Sequence, residues 1–233
     1  MLHVISLGGS IVAPGAVDEA YLGQLLALLE RLLLEDGDRR FIFVVGGGGP
    51  ARAWQRAYRN LARRPSDDEA DWIGVMATRL NAQLIKALMG DWCREEVVTD
   101  PSRTDSFRGR VLVAAGWKPG FSSDYDAVLL AERFKAAQVI NLSNIEQVYT
   151  DDPRKNPDAK PIKTIGWADF IRMVGDEWAP GKNVPFDPVA SHHAATIGLR
   201  VLFAAGKNLD NLEKILRGGD FLGTVIGGPS PGH

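Results

Sequence analysis

Glycines follow two apolar segments of the chain, at points where backbone N–H groups could bind an anion. Residues 8–10 read Gly-Gly-Ser after the apolar residues 2–7, and residues 46–49 are four glycines after the apolar residues 41–45, with Arg52 beyond them. Glycines let N–H groups converge, and a helix start attracts negative charge. These turns therefore favour phosphate binding. A tight turn that serves topology alone predicts the same glycines, because neither common nucleotide-loop spacing is present.

A third turn combines a lysine, two hydroxyl groups and a carboxylate. Residues 116–124 read Gly-Trp-Lys-Pro-Gly-Phe-Ser-Ser-Asp, before a helical pattern that starts at Tyr125. Capping of that helix by Ser122 or Ser123 would explain the serines, but it would not explain Lys118. The turn is therefore a second candidate for binding a charged ligand.

Further polar residues stand at helix starts and strand ends. Asp71 lies in the first turn of a predicted helix, as either a surface charge that complements the helix dipole or a ligand contact. Asn144 follows an apolar segment, and residues 148–157 form a polar loop punctuated by prolines, of the kind that carries function. His192 and His193 have no carboxylate at ligand spacing, so no metal site is predicted.

The segments that position these residues alternate between strand and helix patterns. Apolar runs predict buried strands at 2–7, 41–45, 96–99, 111–115, 138–142, 199–204 and 224–226. Helical spacing and caps predict helices at 18–35, 50–63 (with Trp54, Tyr58 and Leu61 inward), 68–89, 125–136, 167–174, 188–198 and 209–216. This alternation predicts an α/β fold with a parallel sheet, in which the turns after residues 7, 45, 115 and 142 share one edge and form one composite site.

Composition excludes several classes of protein. The 233 residues are 45% hydrophobic with a net charge of −2, which fits a globular protein and gives no basic surface for nucleic acid. The single cysteine, Cys93, excludes an internal disulfide and fits a reducing cytosol. No segment approaches the roughly 20 apolar residues of a membrane span, and no targeting pattern opens the chain. We expect a soluble cytoplasmic protein without membrane or nucleic-acid partners.

The order of the motifs resembles that of the amino-acid kinase superfamily, and most closely that of its uridylate kinases of the archaeal-like type. The resemblance covers nearly the whole chain. It implies one domain over residues 1–233, a three-layer αβα sandwich with a central, mainly parallel sheet, an acceptor part at about 1–135 and an ATP part at about 136–227. The motifs are Leu7-Gly8-Gly9-Ser10, Val45-Gly46-Gly47-Gly48 with Arg52, Asp71-Trp72-Ile73-Gly74, Ser122-Ser123-Asp124, Asn144 with Val148-Tyr149-Thr150-Asp151-Asp152-Pro153, Asp187-Pro188 and Gly223-Thr224-Val225-Ile226.

The resemblance implies phosphoryl transfer from ATP with Mg²⁺ to UMP, in pyrimidine nucleotide biosynthesis. Asp124 matches the acidic residue that organises the catalytic groups, and Arg52 is the second catalytic candidate. The expected ATP contacts are Gly8, Gly9, Ser10, Gly48, Arg52, Ser143, Asn144, Tyr149 and Asp152. The expected UMP contacts are Gly47, Asp71, Gly116, Trp117, Lys118, Pro119, Gly120, Phe121, Ser122 and Ser123. A phosphate acceptor is already a nucleophile at neutral pH, so no serine, cysteine or histidine base is required.

Three positions depart from the superfamily pattern. Ser6 stands where many superfamily kinases carry a lysine, a difference shared with archaeal-type uridylate kinases. Residues 146–147 are Glu-Gln in place of the usual Asp-Gly, and no lysine precedes Asp187 at the second catalytic position. The candidate cations for the transition state are then Arg52, which we favour, Lys118 and Lys182.

Two alternatives to a UMP kinase follow from the same residues. A related acid or phosphate kinase would share the motifs, but Asp71 and the polar turn at 116–124 favour an acceptor that carries a ribose. A non-catalytic nucleotide- or oxyanion-binding protein would explain the missing lysines. Steady release of ADP when UMP is added would separate the kinase from the binding protein.

We expect the chain to form a homo-oligomer. Resemblance implies a homohexamer built from dimers, and the helix predicted at 18–35 has more leucines than one core-facing stripe of about 100° can hold. We therefore expect part of this helix to contact a second copy of the chain. Its leucines are Leu22, Leu25, Leu26, Leu28, Leu29, Leu32, Leu33 and Leu34.

Overall fold

The computed structural model describes residues 1–153, 155–175 and 184–227. Strands and helices alternate along these ranges. The strands are β1 (Leu2–Leu7), β2 (Arg40–Val45), β3 (Val111–Ala114), β4 (Gln138–Ser143), β5 (Val148–Tyr149), β6 (Pro161–Ile162), β7 (Thr164–Ile165), β8 (Arg200–Ala205) and β9 (Thr224–Ile226). The helices are α1 (Gly9–Val12), α2 (Glu19–Glu35), α3 (Gly48–Leu61), α4 (Asp67–Met89), α5 (Ser123–Arg133), α6 (Trp167–Val174), α7 (Pro188–Thr196) and α8 (Leu209–Leu216).

A seven-stranded sheet runs through the described part of the chain in the order β3-β2-β1-β4-β8-β9-β7. The first five of these strands are parallel neighbours, and β1 pairs with β2 from Leu2 opposite Arg40 to Leu7 opposite Val45. β9 is antiparallel to β8 and parallel to β7, while β5 and β6 form a separate antiparallel pair. The turns after β1, β2, β3 and β4 therefore lie at one edge of the sheet, as the strand pattern predicts.

Buried apolar side chains cover both faces of this sheet. Successive side chains of a strand point to opposite faces, so Ile5 and Leu7 pack with residues of α1, α2, α8 and the second half of α4, whereas Val4 packs with residues of α5, α6 and α7. The strands read as continuous apolar runs because neither face meets solvent. The predicted three-layer αβα sandwich is confirmed.

The strand predicted at residues 96–99 is wrong. This segment makes one bridge to the sheet, between Val98 and Ala114. The Glu95 carboxylate accepts hydrogen bonds from the N–H groups of Arg108 (2.7 Å) and Gly109 (3.4 Å). Because these bonds fold the chain back on itself, only Val98 runs beside β3.

Four helices begin one or two residues from the predicted position: α2 at Glu19, α3 at Gly48, α4 at Asp67 and α5 at Ser123. α3 begins at Gly48 and not at Pro50, and a Cβ atom at Gly48 would lie 2.3 Å from the backbone oxygen of Gly9. Only glycine therefore allows the helix to start so close to the first turn. α4 is capped by the Ser66 hydroxyl, so the aspartates after it lie in the first turn and do not cap the helix.

Large apolar side chains are exposed on several elements, among them Leu34 of α2 and Trp54, Leu61, Trp72, Met76 and Leu80 of α3 and α4. The α2 leucines are buried or partly buried by the rest of the same chain, except Leu34, which is 70% exposed. Trp54 and Leu61 were predicted to point inward, but they are 69% and 83% exposed. The reason is that α3 packs against α4 at the outside of the sandwich and buries little beyond Ala51. No helix among the described residues is long and apolar enough to cross a membrane.

Candidate active site

The turns after β1 and β2 pack backbone against backbone. A Cβ atom at Gly9 would lie 2.1 Å from the nitrogen of Gly48 and 2.6 Å from the carbonyl carbon of Gly46. The N–H of Gly8 donates to the carbonyl of Leu142 at 3.0 Å, which joins the first turn to β4. The glycines are thus required by the close approach of the turns to each other, in addition to any ligand.

Asn81 holds the second glycine turn from behind. Its side-chain amide donates to the backbone oxygens of Gly46 (2.8 Å) and Gly47 (3.2 Å), and the Asn81 side chain is buried within α4. A side chain from the middle of a helix therefore sets the direction in which the first N–H groups of α3 point. The sequence analysis missed Asn81, because a single asparagine within a helical pattern carries no motif.

Arg52 reaches from α3 to the first turn. Its guanidinium donates to the Ser10 hydroxyl at 3.3 Å and to the backbone oxygen of Pro14 at 3.5 Å, and it remains exposed. The structure thus brings together the two glycine turns, Ser10 and Arg52, which were predicted as phosphate contacts. A cation beside converging N–H groups is suited to binding a polyphosphate.

Asp124 lies at the centre of the site and accepts hydrogen bonds from three segments. Its Oδ1 accepts from the Ser6 hydroxyl at 2.9 Å and from the Asn141 amide at 2.8 Å, and its Oδ2 accepts from the N–H of Asp187 at 3.3 Å. β1, β4 and the start of α7 therefore fix the direction of this carboxylate. Ser6, at the position of the missing lysine, acts here as a hydrogen-bond donor.

Three carboxyl groups in this region have raised pKa values. Burial raises the pKa of Asp124 to about 6, and the charge of Asp187 adds to that effect. Burial raises the pKa of Asp126 to about 7, to which the charge of Asp124 contributes. Burial also raises the pKa of Asp187. The charge of the site therefore changes near neutral pH, which is common where groups are arranged for catalysis.

The turn at residues 116–121, which we call the acceptor loop, is tied to α4. The Asp71 carboxylate accepts from the N–H of Gly120 at 3.3 Å, and Arg79 donates to the backbone oxygen of Trp117 at 3.0 Å. The Thr78 hydroxyl accepts from the N–H of Gly116 at 2.8 Å. Asp71 and this loop were both predicted to contact UMP, and the structure brings them together although 49 residues separate Asp71 from Gly120.

Aromatic rings line the acceptor loop. The rings of Trp117 and Phe121 are 5.1 Å apart, and Phe121 is 4.8 Å from Tyr125. The Lys118 ammonium lies 4.0 Å from the centre of the Trp117 ring, a cation–π contact. Ser122 caps α5, as the simpler interpretation of the serines predicts. Pro119 and Gly120 lie in the same turn, Ser123 is the first residue of α5, and none of the three is fully buried.

The residues predicted to contact the ATP base and ribose follow β4. Ser143 and Asn144 lie at its end and contact each other at 3.4 Å, Tyr149 is in β5, and Asp152 lies in the following turn. The buried Gln147, whose type departs from the family pattern, donates to the backbone oxygen of Gly223 at 3.0 Å. It therefore anchors this loop to β9. Lys182, the third candidate cation, lies outside the described residues.

Known sequences match this chain along most of its length. A model of the amino acid kinase family matches residues 1–203. A uridylate kinase of Methanospirillum hungatei is 36% identical over 230 residues, which are 96% of this chain and 93% of that protein. A uridylate kinase of Pyrococcus abyssi is 30% identical over 94% of this chain and 96% of that protein.

Solved structures share the fold. The crystal structure of uridylate kinase from Archaeoglobus fulgidus has a TM-score of 0.81 at 29% identity, and the match covers 97% of this chain and 100% of that chain. The UMP kinase from Bacillus anthracis has a TM-score of 0.75 at 18% identity over 97% of this chain and 95% of that chain, which shows the fold alone.

Proposed function

Because this chain belongs to the amino acid kinase family, we propose that it is a uridylate kinase, which transfers the γ-phosphoryl group of ATP to UMP and yields ADP and UDP. One observation carries the proposal. Asp124 is held by Ser6 of β1 and Asn141 of β4, at the sheet edge where the glycine turns, Arg52 and the acceptor loop fixed by Asp71 also lie. Relatives that match 94–96% of the chain are named uridylate kinases.

We propose that ATP binds along the turns after β1, β2 and β4. Its phosphates would lie over Gly8, Gly9, Ser10 and Gly48 with Arg52, and its base and ribose near Ser143, Asn144, Tyr149 and Asp152. The contact between Arg52 and Ser10 at 3.3 Å supports this placement. The ATP part of the single domain would then be residues 136–227, with the glycine turns of the acceptor part closing on its phosphates.

UMP is proposed to bind between Gly47 and the acceptor loop. Asp71 would accept hydrogen bonds from the ribose hydroxyls, and Gly116, Trp117, Lys118, Pro119, Gly120, Phe121, Ser122 and Ser123 would surround the nucleotide. The bond from Gly120 to Asp71 supports their grouping. A site that binds a polar ribose also favours a nucleotide over the apolar acceptors of related kinases.

The chemistry would rely on position and charge. An oxygen of the UMP phosphate forms the new bond to the γ-phosphorus, the bond from that phosphorus to the β,γ-bridging oxygen breaks, and its electrons leave with ADP. Asp124, held by three donors, would order the groups around the phosphates, and Arg52 would offset developing negative charge. No three His, Cys, Asp or Glu side chains among the described residues are grouped as metal ligands. We propose that Mg²⁺ enters as part of the substrate, bound to ATP.

A coupled assay tests this function. Purified protein with MgATP should release ADP steadily when UMP is added, and the nucleotide product should be UDP. CMP, dUMP and AMP measure selectivity in the same assay. Tight UMP binding without ADP release would instead identify a non-catalytic binding protein. Such an activity would serve pyrimidine nucleotide synthesis, and the single unpaired Cys93 fits a cytoplasmic location.

We also propose a homo-oligomer, with a second copy packed on the exposed face of α3 and α4. This face carries five exposed apolar side chains: Trp54, Leu61, Trp72, Met76 and Leu80. Trp72, Met76 and Leu80 follow one another at four-residue spacing, so they share one side of α4. A two-fold axis would pair this apolar surface with the same surface of a second copy. The hexamer implied by resemblance would use this contact within its dimers.

A further inference from the structure

Asp126 is a buried carboxyl group that the phosphoryl transfer described above does not use. It lies in the first turn of α5 and has no exposed surface. Its Oδ2 accepts a hydrogen bond from the N–H of Trp117 at 3.2 Å. Its Oδ1 is buried and has no hydrogen-bond partner among the described residues. A carboxyl group in this position costs stability, so the fold alone gives no reason for it.

The capping of α5 does not explain Asp126 either. The Ser122 hydroxyl already accepts the N–H of Tyr125 at 3.2 Å, which caps the helix. The one side-chain hydrogen bond that Asp126 makes among the described residues leads to the acceptor loop. We therefore expect Asp126 to act on that loop.

Both backbone polar groups of Trp117, its N–H and its carbonyl oxygen, are hydrogen-bonded to helices. Its N–H is bonded to Asp126 of α5, and its backbone oxygen accepts from Arg79 of α4 at 3.0 Å. The preceding N–H, of Gly116, is bonded to Thr78 at 2.8 Å. Two helices thus fix the start of the loop without a ligand. The Trp117 ring, with Lys118 and Phe121 against it, follows the position of this backbone.

We propose that Asp126 is a positioning residue for the acceptor site, which holds the acceptor loop in its UMP-binding conformation through the Trp117 N–H. This inference rests on the proposed UMP kinase activity. A loop ordered in advance binds its ligand without the entropy cost of ordering it at that moment. The raised pKa of Asp126 agrees with a group kept for its acceptor atom, since an acceptor oxygen is present whether or not the carboxyl is ionised.

Steady-state kinetics of three variants test the proposal. Asp126→Asn keeps an oxygen that can accept the Trp117 N–H, whereas Asp126→Val removes it at similar volume. Asn211→Ala is the control, because Asn211 also holds a loop through backbone bonds, to the N–H and oxygen of Leu222, at a distance from the acceptor loop in the chain. Asp126→Val should raise the KM for UMP about 5- to 10-fold and change the KM for ATP less than twofold. Asp126→Asn and Asn211→Ala should each leave the KM for UMP within twofold.

Hydrogen exchange gives a second test that needs no enzymatic activity. The amide of Trp117 should exchange slowly in the unliganded protein, and in Asp126→Asn it should remain protected. Fast exchange of this amide in the folded wild-type protein would overturn the inference, even if Asp126→Val does not fold. Equal effects of the Asn and Val variants on the KM for UMP, or equal changes for both substrates, would overturn it too. Failure of the wild type to phosphorylate UMP would refute the function and leave the exchange result to decide the role of Asp126 in the loop.

Discussion

At the scale of single residues, Asp124 differs from an ordinary helix-start carboxylate in its partners. All three groups that contact it are donors: Ser6, Asn141 and the N–H of Asp187. An amide in its place would keep one oxygen but turn an NH₂ group towards a donor. The requirement is therefore for two acceptor oxygens and a negative charge, and not for shape alone.

Asp124→Asn should reduce kcat at least a hundredfold while the protein stays folded, because the charge that orders the groups around the phosphates is lost. Turnover of UMP at saturating substrates measures the effect, and thermal unfolding confirms the fold. Asp210→Asn, in the first turn of α8, is the control and should keep wild-type turnover. Near wild-type activity of Asp124→Asn would refute the catalytic assignment.

The buried carboxyl groups predict how stability depends on pH. Folding raises the pKa of Asp124 to about 6 and of Asp126 to about 7 from an ordinary value of 3.8. Such groups contribute stability that is complete below about pH 4 and is lost as pH rises through the folded pKa. Unliganded wild type should therefore lose stability between pH 4 and 7.

Asp126→Asn cannot ionise and should lose less stability over this range. The free energy of unfolding of Asp126→Asn minus that of the wild type should increase by about 4 kcal/mol between pH 4 and pH 8. Urea unfolding at a series of pH values measures the difference. A constant difference between the two proteins from pH 4 to pH 8 would contradict the raised pKa of Asp126.

At the scale of elements, α4 supports the proposed acceptor site. One helix supplies Asn81 to the second glycine turn and Asp71, Thr78 and Arg79 to the acceptor loop. Because a helix is rigid over this length, the distance between the glycine turn and the acceptor loop is fixed by the spacing of these side chains. Changes on the inner side of α4 should therefore affect UMP more than ATP.

Asp71→Ala should raise the KM for UMP about 10- to 100-fold, since loss of a hydrogen bond to a charged group costs about 1.5–3 kcal/mol. The KM for ATP should change little. Asp68→Ala, at an exposed position in the first turn of the same helix, is the control for the loss of a charge there. Equal changes in both Michaelis constants would contradict the placement of Asp71 at the acceptor site.

At the scale of the whole molecule, we expect a second copy of the chain to pack on the exposed face of α3 and α4. Trp72 belongs to this face, and the guanidinium of Arg79 lies 5.8 Å from the centre of its ring. Arg79 in turn bonds the acceptor loop. A second copy packed on this face would therefore restrain the helix that supports the proposed UMP site.

Leu80→Glu should dissociate the oligomer towards the 25.4 kDa chain, because it places a charge in the apolar contact. Light scattering at micromolar concentration measures the mass. Leu34→Glu on α2 is the control, since Leu34 is also 70% exposed but lies outside the proposed contact. A monomeric wild type would refute the oligomer, and dissociation by Leu34→Glu alone would restore α2 as the contact.

The sequence by itself determined the fold class, the family and most of the groups at the site edge. Continuous apolar runs with glycine turns after them require parallel strands whose ends meet at one edge, and the order of the motifs identified the family that the comparisons confirm. Such local patterns can be read from neighbours in the chain. The site roles drawn from them remain predictions to be tested by the variants above.

Only the tertiary structure decided which single polar residues support the site and which helix faces are exposed. Ser6, Asn81, Asn141 and Asp126 act through bonds to residues 9 to 118 positions away, so no spacing in the sequence marks them. The inward direction predicted for Trp54 and Leu61 of α3 was wrong for the same reason. A periodic pattern shows that a helix has an apolar face, but whether its own chain covers that face depends on how the helices pack.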